Sequence, residues 1–278
     1  MTSSVVGYAA AVLTIYLVLL GPAIYCFARH GVKHQIWVGW LYFILFCLLR
    51  IIGSAMEISS PDSIAAAIIS SVGLSPLTIS LFGILHEARF YLLSLHDAPE
   101  ARKIENIIVL FFHITVVTAV ALIATGASGL SSAAARADPT KLAKDWKLAG
   151  AGGVILLLTV AAVAAGAIFT ILTTSSGTTG SGRQQQQQQQ QQARRLALAI
   201  AVAAPVLSVR LIGTVVYYFG KNTDMNPVTG LLGVKVGLYL VPEVITAVLV
   251  LAGGLASRSV KVRAAEGEPY KMGGRSRY

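Results

Sequence analysis

Residues 5–27 read VVGYAAAVLTIYLVLLGPAIYCF, a run of 23 residues without a charged side chain. A helix needs about 20 mostly apolar residues to cross the hydrocarbon core of a bilayer, so this run is long enough to span one. A signal peptide differs in having basic residues first and a shorter apolar core of roughly 7–15 residues. We therefore predict a retained membrane-spanning helix at the start of the chain.

Six further apolar runs follow this first one. They cover residues 36–56, 64–85, 107–125, 148–172, 196–219 and 231–255. The composition agrees, because 55% of the 278 residues are hydrophobic and 12% are charged, whereas a soluble domain has about 25% charged residues. The sequence thus predicts an all-α, polytopic membrane protein with a seven-transmembrane-helix bundle over residues 1–256. It excludes a water-soluble globule and a disordered chain.

The lysines and arginines between the apolar runs indicate how the bundle is oriented. If the loops alternate sides, 14 of the 22 basic residues lie on the side of the carboxyl terminus and 6 on the side of the amino terminus. Cytosolic loops have the larger number, so we expect the amino terminus outside and the carboxyl terminus in the cytosol. The net charge of +10 is then mainly a topology signal, and membrane lipids rather than nucleic acid are the expected partners.

Two segments differ from the apolar runs in composition. Residues 173–195 include nine consecutive glutamines, 184–192, and such a tract buries too little apolar surface to order itself, so we predict a disordered loop. Residues 257–278 are polar and basic, and they predict a cytosolic tail that either lies against anionic lipid or only fixes the topology. Before helix five, Asp138 and Pro139 are typical of an N-cap and a first helical residue, here of a brief interfacial helix.

Charged residues within the apolar runs are the candidate functional residues. They are Arg50, Arg210 and Glu243, with Glu57 near the end of its run. Ionisable groups in a bilayer usually face the bundle interior and pair with one another. One hypothesis is that the first three line a polar cavity for an anionic or amphiphilic ligand. The alternative is structural, with Glu243 neutralising one arginine and Glu57 the other.

Helices two and three resemble helices six and seven. Arg50-Ile51-Ile52-Gly53 matches Arg210-Leu211-Ile212-Gly213, and Pro76 and Pro242 lie at similar distances from the predicted starts of their helices. This pattern is compatible with a 3+1+3 repeat of the kind found in small transporters, or with chance, since these residue types are common in membrane helices.

The other polar residues predict no chemistry. His30 and His34 have no acidic residue nearby, so we expect solvated loop side chains, and we interpret His86, Glu87 and Arg89 as interfacial anchors. The motifs of soluble hydrolases, phosphate-binding loops and zinc proteases are absent. The sequence predicts no enzyme, no cofactor and no metal site. Cys26 and Cys47 are expected to be small buried hydrophobic residues.

The chain resembles a fungal family of seven-helix integral membrane proteins that is classed as a domain of unknown function. The segments that carry the resemblance are Arg50-Ile51-Ile52-Gly53, Gly73-Leu74-Ser75-Pro76-Leu77, Val209-Arg210-Leu211 and Pro242-Glu243. More distantly, it is similar to fungal lipid-translocating exporter-like proteins and to Pth11-type receptors. The resemblance implies a fungal source and a membrane location, and it brings no activity.

Three functions are compatible with these features. The first is transport or handling of a small amphiphilic or lipid-like ligand at Arg50, Arg210 and Glu243. The second is a receptor-like membrane sensor whose cytosolic loops contact partners. The third is a non-catalytic membrane organiser with a closed interior. Helix length sorts membranes weakly, so the sequence does not distinguish the plasma membrane from internal membranes.

Overall fold

A computed structural model describes residues 2–30, 37–60, 69, 73–95, 99–131, 137–174, 183–227 and 229–257. Within these residues the chain forms seven long helices and no strand, which confirms the predicted all-α class. The helices are α1 Thr2–His30, α2 Trp37–Ser59, α3 Leu74–Leu95, α4 Pro99–Ser131, α5 Pro139–Thr174, α6 Arg183–Gly220 and α7 Leu232–Ala256. The predictions for His34 and for the tail beyond Ser257 lie outside the described residues.

Consecutive helices run in opposite directions between two ends of the bundle. We call these the amino end, where α1 begins, and the carboxyl end, where α7 finishes. At the carboxyl end, Arg195 Nη1 donates to the Ala256 carbonyl at 2.8 Å and so satisfies a free carbonyl of the last turn of α7. At the amino end, Lys235 near the start of α7 lies 3.5 Å from Glu57 near the end of α2.

Helix α3 lies at the centre of the bundle. It packs against α2, α4, α5 and α6, and every residue from Gly73 to Ala88 is buried. The other six helices are long and apolar enough to cross a membrane by length and composition. Because protein surrounds α3, its serine, threonine, histidine and glutamate side chains need not face lipid.

The bounds of α3 differ from the sequence prediction. We expected this helix over residues 64–85; residues 64–68 and 70–72 of that range lie outside the described part of the chain, and the described helix runs from Leu74 to Leu95. Pro76 therefore lies in the first turn, where a missing backbone N–H costs little. The proline match of the 3+1+3 repeat stays a prediction, because the expected start of the helix lies outside the described residues; Pro242 lies ten residues after the start of α7.

Two other segments are more helical than the sequence predicted. Helix α6 begins at Arg183, so the glutamines of residues 184–192 form its first turns instead of a loop. Glutamine is a good helix former, and these turns extend an apolar helix that is already nucleated. Helix α5 runs without interruption from Pro139, so the brief interfacial helix is the start of a long one. Asp138 does cap it, as its Oδ1 accepts from the Thr140 N–H at 2.9 Å.

Helix α7 contains a stretch of wider turns just before its proline. Residues Lys235–Leu240 are π-helical, and the Val241 N–H bonds to the Val236 carbonyl five residues back. Pro242 has no N–H with which to continue the α-helical pattern, so the irregularity has a local cause. Glu243 follows directly and is fully buried.

Helices α2 and α3 approach each other closely at a pair of glycines. A Cβ added to Gly83 would lie 2.5 Å from the Cα of Gly39, and one added to Gly39 would lie 2.7 Å from the backbone nitrogen of Ile84. Small residues let membrane helices pack backbone to backbone in this way. Cys26 and Cys47 are free and buried, as predicted.

Candidate functional sites

Three of the four predicted charged residues meet near the middle of the bundle. Glu243 Oε2 contacts both Arg50 Nη2 and Arg210 Nη1, and Glu243 Oε1 accepts from the Tyr16 hydroxyl at 2.8 Å. We call Arg50, Arg210 and Glu243 the central triad. Arg50 lies nine residues before the end of α2, so the triad is about 14 Å from the amino end. That depth is near the centre of a hydrocarbon core about 30 Å thick.

The central triad is closed to bulky ligands. The side chain of Glu243 is fully buried, and those of Arg50 and Arg210 are 9% and 6% exposed. Arg210 lines a cavity of about 40 Å³, whereas sites for drug-sized ligands have roughly 300–1,000 Å³. This cavity has no room for an amphiphile. The contacts of the triad join α2, α6 and α7, so its geometry fits a packing role better than the binding of such a ligand.

Glu57, the fourth predicted residue, does not join the triad. It pairs with Lys235 at 3.5 Å, and the Lys235 ammonium also lies 4.7 Å from the centre of the Tyr8 ring. The prediction that Glu57 neutralises an arginine was therefore wrong. The cause is a fifth charged residue, Lys235, which lies in the π-helical turns of α7 and is buried.

A second buried cluster, near the carboxyl end, was missed from the sequence. Glu87 accepts from the Trp40 indole and the Tyr91 hydroxyl, each at 2.9 Å, and its Oε1 lies 2.6 Å from His30 Nδ1. The other His30 nitrogen lies 3.1 Å from the Gly254 carbonyl. His30 and Glu87 are both buried, so their interpretation as a solvated histidine and an interfacial anchor was wrong. The cluster ties together α1, α2, α3 and α7.

A third cluster joins α3 to α4 on another face of α3. Glu105 Oε2 pairs with Arg89 Nη2 at 2.9 Å, and Glu105 Oε1 lies 3.2 Å from His86 Nδ1. Glu105 is buried, whereas the Arg89 side chain is 31% exposed. His86 is also buried, so its interpretation as an interfacial anchor was wrong. We call His86, Arg89 and Glu105 the polar head cluster.

The polar head cluster forms one end of a large cavity between α3, α4 and α5. The cavity has a volume of about 430 Å³. Apart from the cluster and two threonines, its walls are apolar and include Phe82, Leu85, Ile108, Phe111, Phe112, Ile155, Leu158 and Val163. Phe82 and Phe112 stack at 3.7 Å in its wall. Ile108, Phe111 and Leu158 are 41%, 72% and 63% exposed, so the cavity opens sideways onto the surface that a bilayer would cover.

A sequence signal for these clusters does exist. His86, Glu87 and Arg89 interrupt an apolar run, and adjacent helical residues point about 100° apart. His86 and Glu87 therefore face different neighbours, α4 on one side and α1 with α2 on the other. Their partners are 19 and 57 residues away in the chain, and no local pattern identifies pairings at such separations.

The chemistry that these sites support is binding and packing. In the part of the chain that the structure describes, no group of three or more histidine, cysteine, aspartate or glutamate side chains could hold a metal ion. Each buried carboxylate accepts hydrogen bonds or pairs with a cation, as buried charges generally must. Among the described residues, the large cavity has the size and lining of a ligand site.

The fold and these sites define a multi-pass α-helical membrane protein with buried charge clusters. The chain belongs to the family described as Domain of unknown function (DUF7702), whose family model matches residues 5–260. No curated protein and no solved structure matches the chain. The predicted resemblance to a domain of unknown function is thus confirmed. The fungal source and the likeness to exporter-like and Pth11-type proteins stay predictions.

Proposed function

We propose that this protein binds and handles an amphiphilic, lipid-like ligand in the cavity between α3, α4 and α5. The observation that carries the proposal is an apolar, laterally open cavity of about 430 Å³ that ends at the polar head cluster. Handling of a lipid-like ligand was also the first expectation from the sequence, which placed the ligand at the central triad instead of this cavity. The ligand would be bound, not chemically changed.

The length of the cavity fits one leaflet of a bilayer. On α4 its walls extend from Glu105 to Thr115 and on α5 from Ile155 to Gly166, which is about 15 Å along the helix axes. Half of a hydrocarbon core is also about 15 Å. An acyl chain or another slender apolar body could lie along Phe112 and Val163, with its polar end at Arg89 and Glu105.

The polar head cluster would select the head of the ligand. Arg89 is partly exposed and presents a guanidinium, which binds phosphate and carboxylate oxygens well. Glu105 would orient that guanidinium and accept a hydrogen bond from a hydroxyl or amine of the ligand. With the carboxyl terminus in the cytosol, as the basic residues predict, this end faces the cytosolic leaflet.

A cavity-filling substitution tests the proposal. Ala162 lines the cavity, whereas its neighbour Ala161 is exposed on α5 without lining it. We expect Ala162→Trp to lower the amount of co-purifying amphiphile at least several-fold, as measured by native mass spectrometry of the purified protein, because the indole occupies the binding volume. Ala161→Trp should retain the wild-type amount. Equal occupancy in both variants would reject the site.

A second substitution examines the head of the ligand. Arg89→Gln removes the cation and leaves a shorter, neutral side chain that still forms hydrogen bonds. An anionic amphiphile should lose most of its occupancy in this variant, while a neutral one should be unaffected. Bound-ligand identification in wild type and variant distinguishes the two, and retention of an anionic ligand at full occupancy would contradict the role assigned to Arg89.

A further inference from the structure

The half of the bundle nearer the amino end contains more buried cations than buried carboxylates. Among the described residues, the cations buried there are Arg50, Arg210 and Lys235 and the buried carboxylate is Glu243, while Glu57 and Asp145 are half-buried. Lys235 pairs with Glu57, which leaves two guanidiniums for one carboxylate. An uncompensated charge in a bundle interior is costly, so one further anion would balance this region.

The hydrogen bonds of the central triad lead to the same conclusion. One oxygen of Glu243 contacts both arginines, and Tyr16 occupies the other. The Nε atoms of Arg50 and Arg210 are buried and have no hydrogen-bond partner in the described part of the chain. A buried N–H donor on a cation without an acceptor is unusual. An anion beside Arg210 would accept from it.

A cavity of suitable size adjoins Arg210. Its volume is about 40 Å³, while one water-sized occupant needs about 10–15 Å³. Ser75, Thr214 and Tyr218 bring hydroxyl groups to its walls. Leu74 and Ser75, which also line it, form the first turn of α3, where the helix dipole favours negative charge. The remaining walls are apolar.

We propose that this cavity binds a small inorganic anion of halide size, with the Arg210 guanidinium as its main ligand. A halide is only slightly larger than water and fits the volume, whereas an amphiphile does not. The ion would neutralise the second guanidinium of the central triad and thereby stabilise the packing of α3 against α6. This site is independent of the cavity between α3, α4 and α5.

The test is the halide dependence of thermal unfolding of the purified full-length protein. Chloride or bromide replaces gluconate at constant ionic strength and pH, in the millimolar range. We expect Tm to rise by about 3–6 °C for each tenfold increase in halide above its Kd, because the ion binds only the folded protein. A Tm that is the same in chloride and gluconate would overturn the proposal.

Matched variants locate the site. Ala124 lines the cavity, and Ala121 is exposed one turn earlier on α4. Ala124→Ile should abolish the halide dependence by filling the space, and Ala121→Ile should keep it. Arg210→Gln should also abolish the halide dependence if this variant folds. If it does not fold, the comparison of Ala124→Ile with Ala121→Ile tests the site. An unchanged halide response in Ala124→Ile would place the ion elsewhere and refute the assignment.

Discussion

Removal of the single carboxylate of the central triad should be among the most destabilising changes in the chain. Glu243→Gln keeps the shape of the side chain but leaves Arg50 and Arg210 without a counter-charge. Their side chains are only 9% and 6% exposed, so water cannot replace the lost carboxylate. Breaking a buried pair by removing one partner costs about 3–5 kcal/mol, and here one carboxylate serves two cations.

This loss should be visible as a lowered Tm of the detergent-solubilised protein, followed by tryptophan fluorescence at a fixed scan rate. At 2–4 °C per kcal/mol, the expected fall is about 6–20 °C. Glu57→Gln is the matched control, since it removes the partner of Lys235 from a position that is 17% exposed. The carboxylate of that pair is partly exposed and serves one cation instead of two, so its loss should lower Tm less than the loss of Glu243 does.

A triple variant separates the net value of the charges from the cost of leaving one unpaired. Replacing Arg50, Arg210 and Glu243 together by methionine removes every charge of the triad. Buried ion pairs are often no more stable than apolar residues of similar volume, so the triple variant should recover most of the Tm lost in Glu243→Gln. A Glu243→Gln protein that melts within about 2 °C of wild type would refute the reasoning, because the two arginines would then not need their carboxylate.

Two further predictions concern helix packing and capping. Gly83→Ala should lower Tm by the equivalent of about 1–3 kcal/mol, because its Cβ would lie 2.5 Å from the Gly39 Cα, whereas Gly21→Ala, with nothing within 4 Å of the added Cβ, should leave Tm unchanged. Hydrogen bonds from the Thr140 hydroxyl and N–H hold the pKa of Asp138 below its ordinary value of 3.8. The cap that Asp138 forms is therefore intact at neutral pH and is lost as the pH falls through that lowered pKa. Asp138→Ala at pH 7 should speed amide hydrogen exchange at the start of α5. Acidification of the wild-type protein should have the same effect. Equal Tm values for the two glycine variants, or unchanged exchange in Asp138→Ala, would contradict these expectations.

The helices that face lipid could be predicted from the sequence alone. Their apolar runs are long because no water satisfies a polar group in a bilayer core. The run at residues 5–27 lies within α1, and the run at residues 231–255 coincides with α7 apart from one residue at each end. The pairing of intramembrane charges could also be expected, and Arg50, Arg210 and Glu243 do meet. Both predictions rest on the free-energy cost of placing a polar or charged group in the bilayer core, and the positions of such groups can be read from the sequence.

The features that were missed depend on what surrounds a residue. Helix α3 carries His86 and Glu87 because protein encloses it, whereas the same residues in a lipid-facing helix would mark its end. The partners of Glu87 come from α1, α2 and α3 itself, and only the packing of the bundle brings the first two near. The cavity at Arg89 and Glu105 likewise lies between three helices, α3, α4 and α5, so no single helix reveals it.

The central claim, that the cavity between α3, α4 and α5 holds an amphiphile, can be tested most directly by photolabelling. A fatty acid or phospholipid with a diazirine in its acyl chain is irradiated with the protein in vesicles, with and without excess unlabelled lipid. We expect saturable labelling within residues 105–115 and 155–166, and we expect both excess competitor and Ala162→Trp to remove it. Labelling spread evenly over all lipid-facing helices, with no effect of competitor or of the tryptophan, would contradict it.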